Sequence, residues 1–249
     1  MRDKLLFQDI YIKTYVLMKK IIVTESQYMK IIDEMAYPVS FNMAEFKTLT
    51  TFAERIRYCQ ARLQRISSGS ARIVYKIDNE KVLKLAKNRK GIAQNEAEGG
   101  DYYKNSIGCF AEVYDVDDNY LWIEMQLARK AKLSDFKRLT GYDFAVMCQW
   151  IYNCKSRYSR KGFMYDKSYD SIFNSEEFKK GLENYSIFAE IEEYLCNYQL
   201  ETVGDLTRLN SWGVVNDEYG QEKLVIIDSG LTDDVWADYY KPKQVNYKY

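Results

Sequence analysis

The sequence predicts an α+β fold in which an antiparallel sheet precedes a mainly helical region. Between residues 63 and 126, short apolar runs rich in β-branched residues alternate with polar turns, which is typical of strands. From residue 127 to about residue 203, apolar side chains recur at intervals of three and four, as they do in amphipathic helices. Residues 1–62 are predicted to be a helical N-terminal extension, so the chain divides into 1–62, 63–126 and 127–249.

The composition excludes several classes of function. Lys plus Arg and Asp plus Glu both number 36, so the zero formal charge gives no electrostatic reason to expect nucleic-acid or membrane partners. The absence of histidine removes Ser-His-Asp hydrolysis and most zinc enzymes. The 5 cysteines have no paired metal-ligand spacing and indicate reduced thiols. We therefore expect a cytoplasmic protein, without a signal peptide or a transmembrane segment.

Two helices are predicted within the N-terminal extension. Thr24-Glu25-Ser26-Gln27 offers an N-cap and a first-turn acid ahead of apolar residues at helical spacing up to Met35, and Pro38 closes that helix. A longer helix is predicted from Met43 to Leu63, because apolar residues recur there at three and four. We expect this extension to pack on the sheet that follows.

Five strands and one helix are predicted between residues 63 and 126. The first turn, Ser67-Ser68-Gly69-Ser70, is built of small residues that allow backbone amides to approach a phosphate group. Asp78-Asn79-Glu80 forms the next turn, and a helix begins at Ile92. The last two strands are predicted at Phe110–Val116 and Tyr120–Met125.

Lys84 stands alone among the apolar residues of the predicted third strand, Val82–Ala86. A buried ammonium group is costly unless it meets an anion, so Lys84 needs an acidic partner. The alternative is an edge-strand lysine that extends its ammonium to water.

Three polar groups surround a predicted hairpin near the end of the chain. Asp205 and Asn210 lie 5 residues apart on a loop, and Asp228 ends the second strand of the hairpin. These groups can accept a proton or bind a metal ion, and magnesium prefers hard oxygen ligands of this kind. A long helix, Glu176–Leu200, is predicted just ahead of the loop.

The order of these features resembles that of the protein-kinase-like phosphotransferases. In that family a glycine-rich loop, a strand lysine, a helix glutamate, Asp-x-x-x-x-Asn and Asp-Phe-Gly follow one another. Gly204-Asp205 is closer to the aminoglycoside phosphotransferase branch than to the eukaryotic protein kinases. Val23–Gln27 and Gln94–Glu98 also resemble stretches of tailed-bacteriophage proteins.

The resemblance implies a two-lobed kinase-like fold that uses ATP and Mg²⁺ to phosphorylate a protein or a small-molecule acceptor. Residues 63–126 would be a five-stranded N-lobe with one helix, and residues 127–249 a short, mainly helical C-lobe. Asp205 would accept the proton of the attacking hydroxyl, and Lys84 would pair with Glu98, or alternatively with Glu96. By the same resemblance, ATP would contact Gly69, Ser70, Val74, Lys84 and the backbone of Glu124 and Gln126, and the metal would bind Asn210 and Asp228.

Several departures from the family keep a second hypothesis open. Val203-Gly204 replaces the usual His-Arg, Ser229 replaces the Phe of Asp-Phe-Gly, and only residues 231–249 follow that motif. The alternative is therefore a pseudokinase, or a phage structural protein associated with the virion, that uses the fold as an interaction scaffold. Neither the acceptor nor the oligomeric state can be predicted from these residues.

Overall fold

The computed structural model describes residues 40–100, 107–158, 165–184, 186–197 and 203–241. Its strands are β1 Gln64–Ser68, β2 Arg72–Lys76, β3 Lys81–Ala86, β4 Val113–Val116, β5 Trp122–Gln126, β6 Arg129–Lys130, β7 Trp212–Asn216 and β8 Glu222–Ile226. Its α-helices are α1 Met43–Thr48, α2 Phe52–Arg62, α3 Arg89–Gly99, α4 Leu133–Thr140, α5 Phe144–Tyr158, α6 Asp170–Phe173, α7 Glu176–Glu183, α8 Ile187–Asn197 and α9 Asp233–Tyr239. Short 3₁₀ turns lie at Lys167–Tyr169 and Leu209–Ser211.

The first sheet is five-stranded and antiparallel, with the strand order β1-β2-β3-β5-β4. The predicted α+β class and the five-stranded sheet are therefore confirmed. Helix α3 is the connection between β3 and β4, and it begins at the N-cap Asn88, whose side chain accepts from the N–H of Gly91. The register sets Val74 opposite Lys84, which places the two side chains on the same face of the sheet.

Helices α1 and α2 cover one face of this sheet. Phe46 and Tyr58 from the two helices pack in one apolar cluster with Tyr75, Leu83 and Trp122 of the strands. The expected packing of this part of the extension on the sheet is thus observed for residues 43–62. The helix expected ahead of Pro38 lies outside the described residues.

The single helix predicted from Met43 to Leu63 is wrong, because the chain breaks at Leu49–Thr51. Leu49 adopts an extended conformation, and the guanidinium of Arg55 donates to the carbonyls of Leu49 and Thr50. Thr51 then starts α2 with a capping box, in which its hydroxyl accepts from the Glu54 N–H and the Glu54 carboxylate accepts from the Thr51 N–H. Local side-chain bonds to the backbone therefore outweigh the continuous apolar periodicity.

The predicted hairpin after Asn210 is confirmed, and it belongs to a second sheet with the order β6-β7-β8. The strand predicted at Phe110–Val116 is shorter than expected. Only Val113–Val116 pairs with β5, whereas the N–H of Ala111 donates to the carbonyl of Ile226 on β8, 2.9 Å away. This segment connects the two sheets, and Val82, Met125, Val215 and Val225 pack between them.

Helices α4 to α8 pack around the second sheet in the largest apolar cluster of the described residues. The single helix predicted over 176–200 is wrong, since α7 ends at Glu183 and α8 begins at Ile187. Asn184 and Ser186 occupy the break, where the Asn184 N–H donates to the Lys180 carbonyl and the Ser186 N–H reaches back to the Gly181 carbonyl at 3.3 Å. The indole N–H of Trp150 on α5 donates to the Phe188 carbonyl at 2.8 Å and fixes α8 beyond the break.

Within the described ranges, no helix has both the length and the apolar character needed to cross a membrane.

We expect Thr51→Ala to lower the free energy of unfolding by about 1 kcal/mol, because the first turn of α2 loses its cap. Urea unfolding followed by circular dichroism measures the difference. Thr50→Ala is the matched control, since the Thr50 hydroxyl makes only a long contact of 3.4 Å with Glu54. Equal losses for the two variants would show that the capping box does not fix this break.

Candidate functional site

A cavity of about 690 Å³ lies between the first sheet and the second sheet. Its size is within the range of small-molecule sites in proteins. One wall comes from the β1–β2 turn and from strands β2, β3 and β5. The opposite wall comes from the loops that flank β7 and β8. The lining residues include Gly69, Ser70, Arg72, Val74, Lys84, Gln126, Asp205, Arg208, Asn210 and Asp228.

Lys84 and Glu98 form a buried ion pair at the inner end of the cavity. The Lys84 ammonium lies 2.5 Å from Glu98 Oε2 and donates to the Ile227 carbonyl at 2.6 Å. Glu98 lies on the buried face of α3, whereas Glu96 is exposed. The lysine therefore meets the anion that its burial requires, and the geometry places Glu98 rather than Glu96 beside it.

Arg72 is a member of this cluster that the sequence analysis did not assign to the site. Its guanidinium lies 2.7 Å from Glu98 Oε1, 2.6 Å from Asp228 Oδ1 and 3.3 Å from Asn95 Oδ1. Strand periodicity could have identified it, because Arg72 is two residues before Val74 and so shares the face that Lys84 occupies. Burial alone would raise the pKa of Glu98, but Arg72 and Lys84 outweigh it and hold that pKa well below its ordinary value.

Asp205 is buried in the loop that precedes β7. Its Oδ2 accepts from the N–H of Leu231 at 3.1 Å, and its Oδ1 lies 3.4 Å from Arg208. Burial raises the pKa of Asp205 to about 6, and the charge of Asp228 adds to the rise. A carboxylate with this pKa is suited to accept a proton near neutral pH.

Asn210 and Asp228 line the same cavity as Asp205. Asn210 is exposed in the 3₁₀ turn Leu209–Ser211, and 49% of the Asp228 side chain is exposed. Burial by the surrounding protein raises the pKa of Asp228, and Glu98 acts in the same direction, while Arg72 and Lys84 oppose the rise.

The donor atoms at Asn210 and Asp228 fit the chemistry of a magnesium ion. An amide oxygen and a carboxylate are hard ligands, and magnesium usually takes one or two such protein ligands together with substrate phosphates. No group of three or more His, Cys, Asp or Glu side chains forms a metal site within the described part of the chain. The protein would therefore supply few ligands, and Asp228 already has the Arg72 cation at one oxygen.

The segment Ser229-Gly230 passes very close to α3. The N–H of Ser229 donates to Glu98 Oε1 at 3.2 Å, and a Cβ atom on Gly230 would lie 2.8 Å from the Gln94 carbonyl oxygen. Only glycine fits at this distance from the helix backbone. Residues 228–230 are therefore fixed against α3, which determines where the Asp228 carboxylate points.

The residues predicted to contact ATP, Gly69, Ser70 and Val74, lie in or next to the β1–β2 turn. All three line the cavity, and a Cβ atom on Gly69 would meet open space rather than protein. The Gly69 carbonyl accepts from Lys87, and the Ser70 carbonyl accepts from Asn88. Both carbonyls are thus held by residues at the start of α3.

The predicted contact between the Glu124 backbone and a nucleotide base stays a prediction. Glu124 lies inside the sheet, paired with Leu83 on one side and Asp115 on the other, and its carboxylate meets Lys81 at 2.6 Å. It does not line the cavity. Gln126 does line it, although its N–H already donates to the Glu112 carbonyl at 2.8 Å.

No protein-family model matches the chain, and no curated protein sequence matches it. Among solved structures, the chain is similar to APH(2″)-IIia in its complex with GDP and kanamycin, at 13% identity and a TM-score of 0.33, over 68% of this chain and 67% of that chain. It is similar to APH(2″)-IIa in a ternary complex with streptomycin and ATP, at 13% identity and a TM-score of 0.26, over 77% and 57%. It is also similar to a choline/ethanolamine kinase family protein from Mesorhizobium loti, at 12% identity and a TM-score of 0.28, over 73% and 66%. None of the three bears on the resemblance to bacteriophage proteins, which stays a prediction.

We expect Asp205→Asn to stabilise the fold above pH 6. Because the folded state raises the pKa of Asp205 from 3.8 to about 6, ionised Asp205 destabilises the native chain, and stability is lost as the pH rises through this interval. The amide retains an acceptor for the Leu231 N–H but carries no charge. The free energy of unfolding should exceed that of the wild type by about 1–3 kcal/mol at pH 8, and the difference should shrink toward pH 4.

Denaturant unfolding at intervals between pH 4 and pH 8 measures this difference. Asp118→Asn, in the exposed turn between β4 and β5, is the control. A difference that does not change with pH would contradict the assignment of a raised pKa to Asp205.

Proposed function

We propose that the chain is an ATP- and Mg²⁺-dependent phosphotransferase with a two-lobed, kinase-like arrangement. The observation that carries the proposal is that one cavity is lined by Lys84, whose ammonium pairs with Glu98, and by Asp205, Asn210 and Asp228. Residues 63–126 would be the N-lobe and residues 127–249 the C-lobe. The nucleotide would lie between them, against the Gly69–Ser70 turn.

Each group has a specific task in this proposal. The Lys84 ammonium, fixed by Glu98, binds and orients the nucleotide phosphates. Asp205 accepts the proton of the acceptor hydroxyl as that oxygen attacks the terminal phosphorus and the bond to the nucleoside diphosphate breaks. Magnesium, when bound by Asn210 and Asp228, neutralises charge on the phosphates. The acceptor is a protein or a small molecule with a hydroxyl group.

A second candidate function is nucleotide binding without transfer, as in a pseudokinase or a phage structural protein. The observation that favours it is the ion pair between Arg72 and Asp228, which occupies an oxygen of the proposed metal ligand. Incubation with labelled ATP, Mg²⁺ and candidate acceptors separates the two functions, because only a phosphotransferase releases labelled product at a rate that depends on Asp205.

We expect Lys84→Met to abolish stabilisation by nucleotide. At a concentration about 100 times the dissociation constant, ATP with Mg²⁺ should stabilise the wild type by about 2.7 kcal/mol and raise Tm by about 5–10 °C. The shift should fall below about 1 °C in Lys84→Met, because the phosphates lose their fixed cation.

Differential scanning fluorimetry measures both shifts, each against the same variant without ligand. Lys179→Met removes an exposed lysine from α7 and should leave the shift unchanged. Asp205→Asn should also keep the shift, since Asp205 acts on the acceptor. A wild type that gains nothing from ATP with Mg²⁺ would end the proposal.

We expect the transfer rate to depend on pH through Asp205. Since only ionised Asp205 accepts a proton and its pKa is raised to about 6, kcat/KM should fall about tenfold per pH unit below pH 6 and level off above it. A pH series of initial rates measures the profile. A rate that is flat between pH 5 and pH 8 would remove Asp205 from the role of base.

A further inference from the structure

Arg72 lies at the end of the cavity where the proposal places the nucleotide phosphates. It follows the Gly69–Ala71 turn directly, and its side chain projects from β2 on the same face as Val74. The carbonyl of Arg72 accepts from the N–H of Gly69 at 2.9 Å, so the turn and the residue are held together. A guanidinium at this position is well suited to bind phosphate oxygens through more than one N–H group.

The structure also holds the Arg72 side chain in a fixed orientation. Asn95 is completely buried, and its Nδ2 donates to the Tyr120 carbonyl at 2.9 Å, which directs Oδ1 toward Arg72. Glu98 Oε1 accepts from the same guanidinium. Because both contacts come from α3, Arg72 keeps an anchor on this helix even if its contact with Asp228 is broken.

The contact with Asp228 joins opposite walls of the cavity. The guanidinium lies 2.6 Å from Asp228 Oδ1, and Asp228 is half exposed whereas Arg72 is buried. A permanent cation therefore stands at the carboxylate that the proposed function assigns to a metal ion. A second cation at the same carboxylate is repelled by the first, and this repulsion is strong where protein excludes water.

We propose that Arg72 competes with the metal ion for the Asp228 carboxylate and that it binds the nucleotide phosphates. In the nucleotide-free chain its guanidinium holds Asp228 and weakens the binding of a divalent cation. The phosphates of an incoming nucleotide attract the guanidinium away from Asp228, which then becomes available to the metal. This inference rests on the proposed function, and it makes Arg72 the residue that couples metal binding to nucleotide binding.

The test is a pair of binding measurements on the full chain and on Arg72→Met, neither of which requires catalysis. Mn²⁺ alone is titrated by electron paramagnetic resonance, and ATP alone is titrated by calorimetry in the presence of a chelator. Removal of the Arg72 guanidinium should tighten Mn²⁺ binding at least tenfold and weaken metal-free ATP binding at least tenfold. A merely structural defect would weaken both.

Arg65→Met is the matched control, because it removes an exposed arginine from the neighbouring strand β1 and should change neither affinity. Arg72→Gln is the second variant, since its amide keeps polar N–H groups in the buried cluster without the charge, and it should show the same two changes. Unchanged or weaker Mn²⁺ binding in folded Arg72→Met or Arg72→Gln would overturn the proposal. If the wild type binds no ATP at all, the proposed phosphotransferase function fails. The Mn²⁺ comparison still decides whether Arg72 weakens metal binding at Asp228.

Discussion

The site depends on the buried carboxylate of Glu98. Its two oxygens accept from Lys84, from Arg72 and from the N–H of Ser229, and these three donors come from β3, β2 and the segment after β8. An isolated carboxylate with so little exposure would be protonated or would destabilise the fold, so the charge requires all of these partners. Because the donors lie on different elements, satisfying this one group also positions the cations and the Asp228 segment relative to α3.

The charges in the cavity explain how one cluster can serve both stability and ligand binding. Arg72 and Lys84 carry positive charge, and Glu98 and Asp228 carry negative charge, so the four side chains balance one another in the structure. A polyphosphate would add negative charge to this cluster, and a divalent cation bound with it would offset part of that charge. The raised pKa of Asp205 follows from the same crowding, because Asp205 is buried near another carboxylate and its partner Arg208 is mostly exposed.

Much of the fold could be predicted from the sequence, because most strands and turns are marked by local residue patterns. The short strand β6 is an exception, since it lies in a region predicted to be helical. The final hairpin and the turn at Asp78–Glu80 depend on short-range periodicity and turn chemistry, and both were predicted correctly. The breaks at Leu49–Thr51 and Asn184–Ser186 were not predicted, because the apolar spacing on either side favours a continuous helix. At the first break, bonds from the Arg55 and Thr51 side chains to the backbone interrupt the helix. Arg72 was missed for a different reason: it follows a turn of small residues, although strand alternation places it on the face of Val74 and Lys84. The position of Glu124 inside the sheet depends on β4 and β3 flanking β5, and a single sequence does not give that strand order.

We propose that Lys84, Asn210 and Asp228 bind one nucleotide between the two sheets. A crystal structure of the chain grown with Mn²⁺ and a non-hydrolysable ATP analogue tests this proposal, because anomalous scattering locates the manganese independently of the protein coordinates. We expect an anomalous peak within coordination distance of Asn210 and Asp228, and phosphate oxygens within hydrogen-bond distance of the Lys84 ammonium. A nucleotide bound elsewhere, or a manganese peak away from both of these oxygens, would contradict it.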